Sequence, residues 1–295
     1  MFSAPSFLAS YPQPHKKISD LFRRISTERQ SNYKLITEKL SVLLKNAAEK
    51  LKKDSFNILS VGCGNGAGGD FLIFEIVKNF VVASRKKTSM FYQAIEEDAA
   101  ELRFFKESAD SWSSENRQLN SSFRWFVGSW QEFQTETKSD STKFQLIHFI
   151  HSIYNMDVEN TLCDCIKNKL AKGGLIFCLV ADPDNPLKRF YEAHPSFHTP
   201  IISSEDVVSV ASKNGWKYDC FQVPYQIDLT EMFKESSADG KLLMDFFTKT
   251  KEYRSVAEKS ELEQVEKYWL NDSKVADDGK RKTFGKVCAV IIYKF

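Results

Sequence analysis

Two hydrophobic periods alternate along the chain. From His15 to Lys52 the period is helical: Ile18, Leu21, Phe22 and Ile25 form one apolar stripe, and Leu35, Leu40, Leu43 and Leu44 form a second. Ser26-Thr27-Glu28 separates them. Residues 1–14 carry three prolines and no period, which predicts a loose leader. Short apolar, β-prone runs then recur, with helical patterns between them. The runs are Ile58–Val61, Ser89–Ile95, Phe123–Val127, Phe144–Ile150, Leu175–Ala181, Lys217–Val223 and Lys286–Tyr293. Helices are predicted after Phe71 and over 99–108, 158–170 and 204–214. Lys172-Gly173-Gly174 is read as the cap that ends the third of these. Polar loops are predicted over 109–121 and 134–142, and an irregular, proline-bearing wall over 182–200. Helical material is expected to fill 225–280. Strands alternating with helices predict an α/β fold built on a parallel sheet.

The first strand runs into Gly62-Cys63-Gly64-Asn65-Gly66 and then into a helical pattern. Glycines at a strand-to-helix turn let the backbone bend sharply and let a ligand approach without a Cβ in its way. The dinucleotide fingerprint is G-x-G-x-x-G. The spacing here, Gly62-x-Gly64-x-Gly66, instead resembles motif I of class I methyltransferases, which bind S-adenosylmethionine (AdoMet). A glycine-rich hairpin turn is the alternative. Glu96 closes the second strand, where a carboxylate can accept two hydrogen bonds from ribose hydroxyls. Beside Glu97 and Asp98 it can also be read as a helix-capping acid.

The chain has 295 residues, 42% hydrophobic and 27% charged, with a net charge of +2. That balance predicts a soluble globular protein and gives no steering toward nucleic acid or an anionic membrane. No apolar stretch approaches the roughly 18 residues of a membrane span, and the N-terminus lacks a basic-then-apolar signal. The six cysteines form no C-x-x-C pair, and two lie in apolar runs, so free thiols in a reducing compartment are expected. The five histidines lack metal-ligand spacing. A cytoplasmic enzyme with a small-molecule partner is expected; nothing calls for a dimer, so a monomer is expected.

The order of pieces is similar to that of the histamine N-methyltransferase family from about Phe22 to the C-terminus. The stretches that carry the resemblance are Phe22-Arg23-Arg24…Ser26-Thr27-Glu28-x-Gln30, Ile58-Leu59-Ser60-x-Gly62-x-Gly64, Phe144-x-x-Ile147-His148-x-Ile150 and Leu242-Leu243-x-Asp245-Phe246. The resemblance implies a single domain over 1–295 with a seven-stranded Rossmann-like sheet. Residues 1–52 would be a helical lid, 53–182 the AdoMet-binding core, 183–203 and 225–280 substrate-binding insertions, and 281–295 the final strand. It places the cofactor at Gly62, Gly64, Gly66, Glu96, Ser129 or Trp130, and Ile150. Glu101 stands where the family has a glutamine, and Glu97 where it has a proline.

On the substrate side, Glu28 falls on the carboxylate that holds the amine of histamine in the family; helix capping is the other reading of that residue. His151 replaces a glutamine that contacts the imidazole. Phe22, Tyr154, Phe190 and Phe246 keep aromatic walls, or serve as ordinary core. Ile18 replaces an aromatic, Thr199 a cysteine, and Lys286 an asparagine. The implied reaction is N-methylation by in-line displacement, with the acceptor nitrogen roughly 3 Å from the methyl carbon. Glu28 would anchor the cationic tail, helped by cation–π attraction. His151 would orient the ring or take its proton. Lys286 would repel an ammonium if it faced the pocket. It could then bind a carboxylate, which would favour a carboxylated imidazole; it could also pair with Glu28, or point to solvent. Alternatives to histamine are histidine, a carnosine-like dipeptide, an indole-ethylamine, or AdoMet binding without turnover.

Overall fold

A computed structural model describes residues 14–50, 55–83, 89–197 and 201–294. The expected leader lies outside them apart from Pro14, which opens the first helix, and Thr199 also lies outside. In chain order the elements are α1 (Pro14–Ile25), α2 (Glu28–Leu35), α3 (Ser41–Lys50), β1 (Ser55–Val61), α4 (Asp70–Ala83), β2 (Ser89–Glu96), α5 (Ala99–Glu115), β3 (Ser121–Val127), α6 (Trp130–Glu136), β4 (Phe144–Ile150), α7 (Val158–Asp164), β5 (Leu170–Ala181), α8 (Pro186–Ala193), α9 (Ser204–Lys213), β6 (Lys217–Asp228), α10 (Ala238–Thr248), α11 (Tyr253–Val256), α12 (Lys259–Asn271), β7 (Ser273–Val275) and β8 (Arg281–Tyr293). A π-helical turn over Ile36–Leu40 joins α2 to α3.

The strands form one sheet in the order β3-β2-β1-β4-β5-β8-β6, with the short β7 pairing to β8. The path matches the seven expected strands, and β7 is an eighth that the sequence pattern did not predict. β1 pairs in parallel with both β2 and β4, so it lies in the middle of the sheet. Residues 58–61 of β1 and 144–149 of β4 are buried throughout, as expected of parallel strands covered on both faces.

The described residues fall into two compact units. Of the described residues, the sheet unit holds those within 32–180, 202–222 and 288–294, and the helical unit those within 14–31, 181–197, 201 and 223–287. Among the described residues, no helix is long and apolar enough to cross a membrane. Among the described residues, no two of the six cysteines form a disulfide.

Several boundaries differ from expectation, each for a local reason. α5 runs seven residues past 108 into the expected loop, because Phe105 and Ala109 extend the buried stripe of Leu102 and Trp112 Nε1 donates to Glu75 at 2.6 Å. α6 occupies the start of the other polar loop, opened by a Ser129–Glu132 capping box. In the irregular wall, Pro186 starts α8 rather than breaking it. Asn185 caps that helix by accepting from Leu187 N–H and Lys188 N–H. Gly173 and Gly174 do not cap a helix; they lie inside β5, where the register against β4 shifts between Phe144 and Leu146. β8 begins at Arg281, so Lys286 sits within the strand and not at its start.

Candidate active site

In the sheet unit, β1 delivers the chain into a left-handed turn. Gly62, Gly64 and Gly66 have φ of 67°, 53° and 76°, a region that penalises side chains. Their surroundings differ. A Cβ on Gly62 would stand 2.5 Å from Ser152 Cβ, and one on Gly66 would stand 2.5 Å from the Phe105 ring. A Cβ on Gly64 would meet nothing nearer than Glu101 Oε2 at 4.0 Å. Two glycines are therefore required by packing, and the middle one leaves an open face.

The loop is pinned to β2. Gly62 N–H donates to Ile95 O at 2.8 Å, and Gly64 N–H donates to Glu96 Oε2 at 2.7 Å. Asp98, not Glu96, caps α5, accepting from Ala100 N–H and Glu101 N–H. Glu96 is thus turned to the loop, with Oε1 accepting from Asp98 N–H at 3.0 Å. The Glu101 carboxyl is raised by burial, and then by the nearby charges of Asp98 and Glu96. The glycine run extends to Gly68 and Gly69, which the motif did not include. A Cβ on Gly69 would lie 2.7 Å from both Ile150 Cδ1 and Ile36 Cδ1, so Ile150 packs on the second half of the loop.

Two other expected cofactor residues are already committed. The Ser129 hydroxyl donates to Glu132 Oε2 at 2.8 Å within its capping box. Trp130 is buried in the core with Phe133 and Phe149. Among the described residues of this loop, Gly64 has an open face, and it lies beside the Glu96 carboxylate.

His151 follows β4 in a left-handed conformation, φ 53°, with its N–H bonded to Leu179 O at 2.9 Å. Its ring is buried and held from both sides. Asn32 Nδ2 lies 3.0 Å from Nε2, and Tyr154 Oη lies 2.9 Å from Nδ1. With the amide donating to Nε2, the ring proton is assigned to Nδ1, facing Tyr154. Burial depresses the imidazole well below the ordinary histidine range. His151 is therefore expected to stay neutral through about pH 6.5, where a free histidine titrates. Its ring ¹⁵N shifts should be flat across that range, and a normal titration curve would contradict the buried, doubly bonded ring. Sequence reasoning missed Asn32. Its only signal was its position one turn after Glu28 on the same helix face.

In the helical unit, the Ser-Thr-Glu stretch docks on the end of β6. Thr27 N–H donates to Gln226 O at 3.0 Å, Gln226 N–H donates to Thr27 Oγ1 at 3.0 Å, and Ser26 bridges Ile227. Ser26 Oγ accepts from Glu28 N–H at 3.1 Å, so the serine acts as the cap and the Glu28 side chain is spared that role. Glu28 Oε1 is shut off from solvent and, among the described residues, has no hydrogen-bond partner. Burial raises its carboxyl above the usual range. Phe22 meets Phe246 edge-on at 4.7 Å between ring centroids. Phe190 is fully buried, stacked on His194 at 4.7 Å and on Trp269 at 5.1 Å, which makes it core and not an open wall. Ile18 is buried as well. Lys286 is half-buried, and among the described residues no ion pair joins it to Glu28.

No family model matches the chain. It is 25% identical to histamine N-methyltransferase of Rattus norvegicus over 258 residues, 83% of each chain. It is 26% identical to carnosine N-methyltransferase 2 of Gallus gallus over 213 residues, 70% of this chain and 63% of that one. Among solved structures, the plantazolicin methyltransferase BpumL in complex with SAH aligns over 98% of this chain and 93% of its own, at 12% identity and a TM-score of 0.47. The family resemblance carried by the sequence motifs is borne out by these curated relatives: the chain is similar to histamine N-methyltransferases over most of its length.

Proposed function

We propose that the chain is an AdoMet-dependent N-methyltransferase acting on a ring nitrogen of a small amine-bearing imidazole such as histamine. The observation that carries the substrate class is the buried, unpartnered Oε1 of Glu28. A carboxylate oxygen without a partner away from water is costly. An alkylammonium would supply the missing charge-assisted hydrogen bond.

The residues that would hold the cofactor are the glycine loop from Gly62 to Gly69, Glu96, Glu101 and Ile150. When bound, AdoMet supplies a methyl group on a sulfonium, which needs only a free lone pair in line with it. The protein's own task is then largely placement, for which effective molarities reach roughly 10⁵ M or more. A neutral imidazole acceptor has a pKa of about 6.5 and needs no strong base at pH 7. His151 suits that requirement as a neutral, fixed group. Asn32 and Tyr154 hold its two nitrogens, so it positions rather than titrates. Glu28 anchors the cationic tail.

A second reading, a carboxylated imidazole, is supported by Lys286, a half-buried cation with no ion pair to Glu28. The test is methyl transfer from labelled AdoMet to histamine, histidine, carnosine and tryptamine in parallel. Turnover on histamine is expected. Turnover confined to the carboxylated acceptors would replace histamine with the second reading and make Lys286 the residue to substitute next. No transfer to any imidazole would sink the substrate class.

A further inference from the structure

Four polar side chains lie in the core of the sheet unit, beneath the glycine loop, and have no place in the reaction as derived. Ser60, Asp70, Tyr92 and His148 are exposed by 1%, 2%, 0% and 1%. Ser60 stands two residues before Gly62, and Asp70 is the first residue of α4, directly after Gly69. Ser60 Oγ donates to Asp70 Oδ1 at 2.6 Å, and Tyr92 Oη donates to the same oxygen at 2.6 Å. With its one proton given to Asp70, the tyrosine accepts from His148 Nε2 at 3.0 Å. Ser60 and His148 are direct neighbours across β1 and β4, and Tyr92 is diagonal to Ser60 on β2. Three adjacent strands thus converge on the carboxylate that begins the helix after the loop.

Replacing hydrogen-bonded partners together by apolar side chains of the same shape can be nearly neutral or stabilising. Core stability therefore does not account for it, whereas its position does. We propose that Asp70, clamped by Ser60 and Tyr92, is the positioning residue of the glycine loop. By tying the strand end before the loop to the helix start after it, Asp70 holds the loop in its cofactor-binding shape. The inference rests on the cofactor reading above. The nine residues from Val61 to Gly69 are closed at both ends by the Ser60–Asp70 bond, so ligand binding need not order them. The loop is also packed from the side, since Phe105 fills the space that a Cβ on Gly66 would need and meets Tyr92 edge-on.

The clamp is strongest when Asp70 is charged, because hydrogen bonds to an ionised acceptor are the stronger ones. Burial, and then the charge of Glu96, push this carboxyl up to about 6 against the bonds from Ser60 and Tyr92. The other titratable groups facing it stay neutral. The Tyr92 hydroxyl and the Cys63 thiol are raised by burial, and the His148 imidazole is lowered to about 3.

The test is adenosylhomocysteine binding by calorimetry for wild type, Ser60→Ala and Asp70→Asn between about pH 5 and 8, with melting temperatures alongside. Both variants should bind roughly tenfold more weakly at neutral pH, the order expected for one charge-assisted hydrogen bond. Wild-type affinity should fall as pH drops through about 6, where Asp70 protonates, whereas Asp70→Asn should lack the step near 6. A raised carboxyl costs stability above its pKa, so Asp70→Asn should melt no lower than wild type at neutral pH, which a merely structural role would not allow. Binding within twofold of wild type in both variants, or an unchanged pH dependence in Asp70→Asn, would overturn the inference. A wild-type chain that binds no adenosylhomocysteine would overturn the cofactor reading beneath it.

Discussion

Gly64→Val is expected to abolish adenosylhomocysteine binding, by at least a hundredfold, while the protein still folds. The open face at this residue is what makes the result informative. A Cβ there meets nothing within ordinary contact, since the nearest atom is Glu101 Oε2 at 4.0 Å. The folded chain thus suffers only the backbone penalty of a side chain at φ 53°, about 1–2 kcal/mol. For a chain of this length that lowers the melting temperature by only a few degrees. The branched side chain instead occupies the space a ligand would need beside Glu96. Gly64→Ala carries the same backbone strain with a single methyl and should fall between the two. Gly62→Ala and Gly66→Ala make the contrast, because each would drive a Cβ to 2.5 Å from Ser152 or Phe105 and lose stability first. Calorimetry and thermal unfolding on the same samples separate the cases. Wild-type affinity in Gly64→Val would remove this loop from the cofactor site.

The parts of the fold legible in the sequence were those where one physical signal had no rival. β4 was expected and observed over 144–150, because a central parallel strand is apolar on both faces and helical periodicity is absent from it. The glycine loop was legible because the helical pattern after Phe71 favours a strand-to-helix turn over the hairpin that the three glycines alone would also allow. Where signals competed, expectation failed. The serines and aspartate of 108–114 suggested a loop, yet the buried stripe through Phe105 and Ala109 carries α5 past them. The prolines of 182–200 counted as breakers, yet a proline at the first helical position costs nothing there. At the candidate site, His151 stood out at the carboxyl end of a strand, and Glu28 through its match to the family's Ser-Thr-Glu stretch. Their partners did not. Asn32 sits on a helix face like any surface amide, and only the fold brings it to His151. Asp70 has the ordinary appearance of an acid in a first helical turn, and its bonds from Ser60 and Tyr92 come from strands 10 and 22 residues away in sequence.

Glu28→Gln separates function from stability, and its two effects should run in opposite directions. Glutamine keeps the shape but not the charge. If Glu28 anchors a cationic tail, KM for a charged acceptor should rise by tens-fold, since hydrogen bonds to charged groups are worth roughly 1.5–3 kcal/mol. Adenosylhomocysteine affinity should not move. Stability should change the other way. The Glu28 carboxyl is raised by burial, and its Oε1 has no hydrogen-bond partner among the described residues. A carboxyl whose folded pKa lies above its unfolded value destabilises the fold at every pH above that folded pKa, and the cost fades as pH falls toward the unfolded value. Glu28→Gln should therefore melt higher than wild type at neutral pH, and the gap should close on acidification. The measurements are acceptor KM, adenosylhomocysteine affinity, and melting temperature at neutral and acid pH. A raised KM with a raised melting temperature identifies a carboxylate kept for its ligand. A lowered melting temperature with both affinities reduced would make Glu28 a structural residue, and the amine anchor would have to be sought elsewhere.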